Sequence, residues 1–158
     1  MSNRRRRQGF SLIELLIVIA IILIIITIAV PKYNRTQMYM RETAAIAAIQ
    51  TIHKMEVQYQ SQYGRYATSL TELGPPQTQN AAPTPASADL IDSGLAQGEK
   101  QQYRFTLTGT PGGYTINANP VSYGNSGSKS FYSDQSMVIR ENSGPEPATA
   151  NSKEMGAK

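Results

Sequence analysis

A chain of 158 residues has room for one domain plus a targeting or anchoring segment; with no cysteine it can form neither a disulfide framework nor a thiolate metal site. Its formal charge of +4 suggests a polyanionic partner, but four of the fifteen basic residues are the run Arg4 to Arg7, and the eleven that remain balance the eleven acidic ones. Without that run no general basic footprint is left, so nucleic acid is not expected as a main partner.

Residues 1–9 form a polar, basic leader followed at once by an apolar block. From Phe10 to Val30 there are 21 residues, of which 18 are apolar; only Ser11, Glu14 and Thr27 interrupt them. As a helix this block spans ~31 Å, enough to cross a bilayer. Arginines on its N-terminal side hold the leader in the cytoplasm and send the rest of the chain outward, although Lys32, Arg35 and Arg41 weaken the asymmetry. No small-residue cleavage site follows the block, as an ordinary secretory signal requires.

Pro31 is expected to kink the helix, because it removes one backbone donor and crowds the preceding turn. Residues 31–63 resume a helical pattern, with Ala45, Ile49, Ile52, Tyr59 and Tyr63 on one stripe. Arg41, Glu42, Gln50, Lys54 and Gln58 are assigned to the opposite, solvent face, and Gly64 is placed as a C-cap. Residues 64–101 hold Pro75, Pro76, Pro83 and Pro85 among small polar residues and read as a surface loop. Short turns are expected at 66–73 and at Asp89-Leu90-Ile91-Asp92.

Strand signals occupy 102–141. Residues 102–108 and 114–118 alternate polar and apolar around Pro111-Gly112-Gly113, a hairpin pattern. Residues 130–140 supply a third strand, and residues 142–158 read as a flexible tail. The fold class is therefore α+β: a long N-terminal helix, apolar in its first half and amphipathic in its second, packed on a small antiparallel sheet of about three strands.

The run with the most chemistry is Gly9-Phe10-Ser11-Leu12-Ile13-Glu14. A carboxylate inside an apolar helix costs ~2.5–3.5 kcal/mol even on the lenient insertion scale, so Glu14 needs a partner or a water path. Cleavage after Gly9 would create an α-amine on Phe10, cationic at neutral pH, which could pair with Glu14 of an adjoining subunit.

Basic leader, Gly9, Phe10, Glu14 and apolar helix together resemble the N-terminal signature of the type IV pilin and pseudopilin superfamily. The resemblance covers residues 4 to 33. It implies a prepilin peptidase that cuts between Gly9 and Phe10 and methylates the Phe10 amine, a registration role for Glu14, and a helix-kinking role for Pro31. It further implies an inner-membrane precursor that pilus assembly machinery draws into a filament of copies of itself, an extracellular pilus serving adhesion, motility or DNA uptake. The alternative it leaves open is a pseudopilin of a type II secretion system. Two departures are visible: the paired C-terminal cysteines of many pilins are missing, and no glycine follows Gly9 within the apolar half.

No catalytic constellation is found, and neither an enzyme nor a cofactor is expected. His53, with Glu56 three residues on, reads as an exposed helix histidine, since no second histidine or cysteine completes a metal site. Asp89, Asp92 and Asp134 lack the spacing of a calcium loop. The tyrosines Tyr33, Tyr39, Tyr59, Tyr63 and Tyr66 read as packing and contact residues rather than an electron path.

Overall fold

The computed structural model describes residues 9–78, 81–110 and 112–156. Two compact units divide the chain, Met1–Thr36 and Gln37–Lys158. One α-helix, α1 (Leu12–Tyr63), contributes to both and is unbroken at Pro31. Proline has no amide hydrogen, so the Thr27 carbonyl four residues back receives no helix bond from it. The Thr27 hydroxyl itself donates to the Ile24 carbonyl at 2.7 Å.

In the first unit every described residue from Gly9 to Thr36 is exposed. Aliphatic side chains surround this half of α1, and it is long and apolar enough to cross a membrane.

In the second unit α1 buries one stripe: Glu42, Ala45, Ala48, Ile49, Ile52, His53, Glu56 and Tyr59. The backbone of the stripe, 42, 45, 49, 52, 56 and 59, steps by three and four residues, which keeps it on one face of a 3.6-residue helix. Gly64 ends the helix at φ +73°, donating its amide to the Gln60 carbonyl at 2.8 Å. A left-handed residue here is most easily a glycine, as the sequence suggests.

The stripe packs on a six-stranded antiparallel sheet whose strands lie side by side in chain order. They are β1 (Glu99–Lys100), β2 (Tyr103–Thr110), β3 (Gly113–Pro120), β4 (Ser130–Asp134), β5 (Arg140–Asn142) and β6 (Lys153–Glu154). The expected hairpin is β2–β3, with Leu107 opposite Ile116 and Phe105 opposite Ala118. The third strand lies beside it and places Phe131 opposite Ala118 and Ser133 opposite Ile116. Tyr103, Phe105, Leu107, Tyr114, Ile116, Ala118 and Phe131 are all buried and join Ile49, Ile52 and Tyr59 in one core. Each such side chain contributes about 1.5–3 kcal/mol of hydrophobic free energy, as an upper bound.

Six strands rather than three arise from short pairings that have no alternating pattern. The expected third strand, 130–140, is two, because Met137 turns the chain at φ +63° with its amide bonded to the Asp134 carbonyl. The region 142–158 is not a free tail in the residues described. Its β6 pairs with β5, Ala148 is buried, and the Ala148 and Glu146 carbonyls accept from Asn117 and Ser130. Side-chain donors on β3 and β4 hold this backbone, a kind of anchoring that leaves no periodic trace.

Likewise 64–101 is more than a surface loop. It contains α2 (Leu70–Leu73) and α3 (Ser93–Ala96), and it buries Ala67, Leu70, Leu73, Ile91 and Leu95. Residues 88–91 donate amides back to the carbonyls of Glu72, Leu73 and Gly74. The turn expected at 89–92 begins at Ser93 instead, with Asp92 as its N-cap accepting from the Leu95 amide at 3.1 Å.

Two positions carry stability predictions. Lys100 pairs with Tyr103, so Gln101 (φ +53°) and Gln102 (φ +61°) form a two-residue hairpin turn, both in the left-handed region. Asparagine and glycine fit such a turn better, and Gln101→Asn with Gln102→Gly is expected to raise stability by about 1 kcal/mol, read from denaturant midpoints. At Gly127 an added Cβ would overlap the Tyr103 hydroxyl, which is buried and donates to the Lys129 carbonyl at 2.8 Å. Gly127→Ala should therefore lower stability by about 2 kcal/mol, with the melting temperature as the readout.

Candidate functional site

Gly9 and Phe10 precede the helix, and Phe10 is 82% exposed. Among the described residues, leaving out its chain neighbours, no atom lies within 4 Å of where a Gly9 side chain would start. The arginine run of the leader, Arg4 to Arg7, lies outside the described residues.

Ser11 stands immediately before α1, and its carbonyl accepts from the Leu15 amide at 3.2 Å. Glu14, three residues on, reaches back with Oε2 to the Ser11 amide at 3.3 Å. This is half of a capping box, in which a carboxylate satisfies a donor the helix leaves free and sits at the positive end of its dipole. Its consequence is chemical: Glu14 already reaches the backbone one residue from the amine that cleavage would create on Phe10. The structure brings Phe10, Ser11 and Glu14 together at the start of the helix, whereas Pro31 lies five helical turns further along.

Three ionisable side chains on α1 are buried that the sequence reading left at the surface or did not place. Glu42 accepts from the Ser128 amide at 2.7 Å and the Ser128 hydroxyl at 2.8 Å, so it tethers the loop after β3 instead of facing solvent. His53 is 4% exposed and not a surface histidine. Its Nδ1 lies 2.7 Å from the Tyr114 hydroxyl and its Nε2 2.8 Å from Ser133 Oγ. Burial holds its imidazole below the ordinary value, with the negative charge of Asp134 opposing.

Glu56 is fully buried; its Oε2 accepts from the Ala67 amide at 2.9 Å, and its Oε1 has no partner among the described residues. Burial pushes its carboxyl up to about 7, the Ala67 bond pulling the other way by less. The signal for both residues was present: 49, 52, 56 and 59 share one stripe, and 53 lies beside it. Polar identity concealed it, because a stripe is read from apolar residues alone. Among the described residues no three His, Cys, Asp or Glu side chains gather as a metal site.

Two comparisons bear on the N-terminal segment. Residues 4–30 match the prokaryotic N-terminal methylation motif, a stretch that contains Gly9, Phe10 and Glu14. Over 69 residues the chain is 33% identical to the type IV major pilin protein PilA of Myxococcus xanthus (strain DK1622). That match covers 44% of this chain and 31% of the relative, so it spans about a third of the relative's length. No solved structure matches significantly.

Proposed function

We propose, starting from a chain that carries the prepilin methylation motif and resembles the type IV pilin superfamily, that the protein is a filament-forming structural subunit. The observation that carries this reading is the segment from Phe10 to Val30, helical from Leu12 onward, exposed on all sides and apolar except for Ser11, Glu14 and Thr27. Such a surface is stable in only two settings, a bilayer or a bundle of like helices. A methylation signal at its start supports passage from the first to the second.

In this mechanism the precursor sits in the inner membrane with its basic leader in the cytoplasm. A prepilin peptidase cleaves between Gly9 and Phe10 and methylates the new amine. Assembly machinery then moves the apolar helix half from lipid to the core of a filament of identical subunits. Covering eighteen apolar side chains is worth tens of kcal/mol relative to water, whereas an exposed ion pair gives at most ~1 kcal/mol. Apolar packing therefore holds the filament, and Glu14, paired with the Phe10 amine of a neighbour, sets register. Lipid already covers most of that surface, so the net gain of assembly is small and an energy-coupled machine is required.

The extracellular pilus so formed would serve adhesion, motility or DNA uptake. Mass spectrometry of fibres sheared from cells, with electron microscopy of the same material, tests the proposal. A chain starting at methylated Phe10 as the main fibre component is expected. An uncut chain confined to membranes would overturn it, and loss of protein export with no fibres at stake would reassign the subunit to a secretion pseudopilus.

A further inference from the structure

Three cations follow the apolar half of α1 in the sequence: Lys32, Arg35 and Arg41. Arg41 has a task inside the fold, since its Nη1 donates to the Asn125 carbonyl at 3.1 Å. The protein supplies no such task for Lys32 and Arg35. Both are exposed, no acidic residue occurs between Leu15 and Arg41, and among the described residues neither forms an ion pair. Standing three residues apart, they share one face of the helix, where like charges repel. An anion held between them removes that repulsion, so the pair is complementary to a negative group that the chain itself does not provide.

The height of the pair along α1 says which anion. From Leu12 to Lys32 the unbroken helix rises ~30 Å, the thickness of a bilayer's hydrocarbon core. With the start of α1 at one boundary of that core, Lys32 stands at the other and Arg35 ~4.5 Å beyond it, at the level of phospholipid phosphates. Their aliphatic stems lie along the apolar layer while the charged heads reach the polar one. Tyr33, between them in sequence and 64% exposed, has the apolar ring and polar tip that suit this boundary.

We propose, resting on the membrane-inserted precursor of the preceding section, that Lys32 and Arg35 form a headgroup clamp that binds the phosphates of anionic phospholipid in the leaflet opposite the leader. Lysine takes a phosphate as a point charge and arginine as a planar fork, and at this spacing one headgroup bridges both or two sit side by side. The clamp gives these residues a use that orientation does not, because cations on this side of the span oppose the positive-inside rule. Once cleavage after Gly9 removes Arg4 to Arg7, the Phe10 amine is the one cation that the sequence leaves before Lys32. The clamp is then the main electrostatic hold on the bilayer, and drawing the subunit into a filament requires release of these headgroups as well as of the lipid tails.

The chain contains no tryptophan, so Val30→Trp places a single fluorophore just before the clamp. The full chain carrying it is reconstituted in nanodiscs of mixed phosphatidylcholine and phosphatidylglycerol, with one lipid or the other brominated near the headgroup end of its acyl chains. Each cation near an anionic surface strengthens binding roughly fivefold. Quenching is therefore expected to give phosphatidylglycerol a preference of about fivefold or more at this level, and none in the double variant Lys32→Gln, Arg35→Gln. The exchanged pair, Lys32→Arg with Arg35→Lys, should keep the preference. Replacing Arg4 to Arg7 by glutamine should keep it too, because ~27 Å of helix separates Val30 from Leu12. Circular dichroism in the same nanodiscs checks that helix content is equal throughout. Equal quenching by the two lipids, or a preference that survives loss of both cations, overturns the clamp and leaves the membrane-spanning helix in place. Absence of quenching by either lipid removes Val30 from the bilayer and overturns the membrane reading with it.

Discussion

Glu14→Ala is expected to remove the protein from sheared fibres by at least tenfold while leaving it in the membrane fraction at normal or raised amounts. Taking a carboxylate out of the first turn of the apolar helix relieves part of an insertion cost that reaches ~2.5–3.5 kcal/mol at a helix centre, so the anchored state gains. Packing of helix against helix loses no apolar contact, so any loss of fibres reports the registration role and not a weakened core. The bond from the Ser11 amide is lost as well, a capping effect of about 1 kcal/mol or less that cannot account for a tenfold change in assembly when α1 has 52 residues to hold it. Glu14→Gln separates charge from hydrogen bonding: it keeps an acceptor for the Ser11 amide but cannot form an ion pair with the Phe10 amine. It should resemble the alanine variant if the ion pair sets register. Quantitative immunoblotting of sheared and membrane fractions checks both. Fibres at the native level in Glu14→Ala would remove the carboxylate from the assembly mechanism and leave apolar packing alone.

Glu56→Gln is expected to stabilise the protein at pH 8 and to flatten its pH profile between about 4.5 and 7. The carboxyl titrates near 7 in the fold and at its ordinary value of 4.5 when unfolded, so the native state holds the proton more tightly across that window. Stability is then greatest below the unfolded value and falls as pH rises through the window, levelling off above the folded one. The full decline is about 3 kcal/mol, at 1.36 kcal/mol per unit. Glutamine still accepts from the Ala67 amide and carries no charge to bury, so the decline should vanish. Urea unfolding at pH 5, 6, 7 and 8 in detergent micelles measures it. An unchanged slope in the variant would mean that Glu56 is hydrated in the fold and titrates normally.

His53 acts in the opposite sense. Its folded value lies below the unfolded one, so it costs stability as pH falls through the acid side of the histidine range. The two slopes have opposite signs and oppose each other where their ranges overlap, so removing either group should expose the slope of the other.

Much of the architecture was legible from periodicity. Ala45, Ile49, Ile52 and Tyr59 fall on a helical stripe, Tyr103, Phe105 and Leu107 on an alternating strand, and Gly64 at a helix end, and all occupy those roles in the fold. In each case local spacing and the need to bury apolar surface give the same answer. Gly9, Phe10 and Glu14 were equally visible, because a carboxylate among eighteen apolar residues stands out without any tertiary information.

What the sequence by itself determined is the class of the molecule and the character of its first thirty residues: a bilayer-length apolar helix behind a run of arginines, bearing one carboxylate. Only the tertiary structure decided that His53, Glu42 and Glu56 are interior groups, that 130–140 is two strands, and that the last residues are anchored. These features depend on partners distant in the chain. Ser133 lies 80 residues from His53 and Ser128 lies 86 from Glu42, and Ala148 is held by Asn117. Apolar burial is roughly additive along a chain and leaves a pattern, whereas a buried polar group is tolerable only where a particular partner meets it, and that meeting exists only in the folded chain.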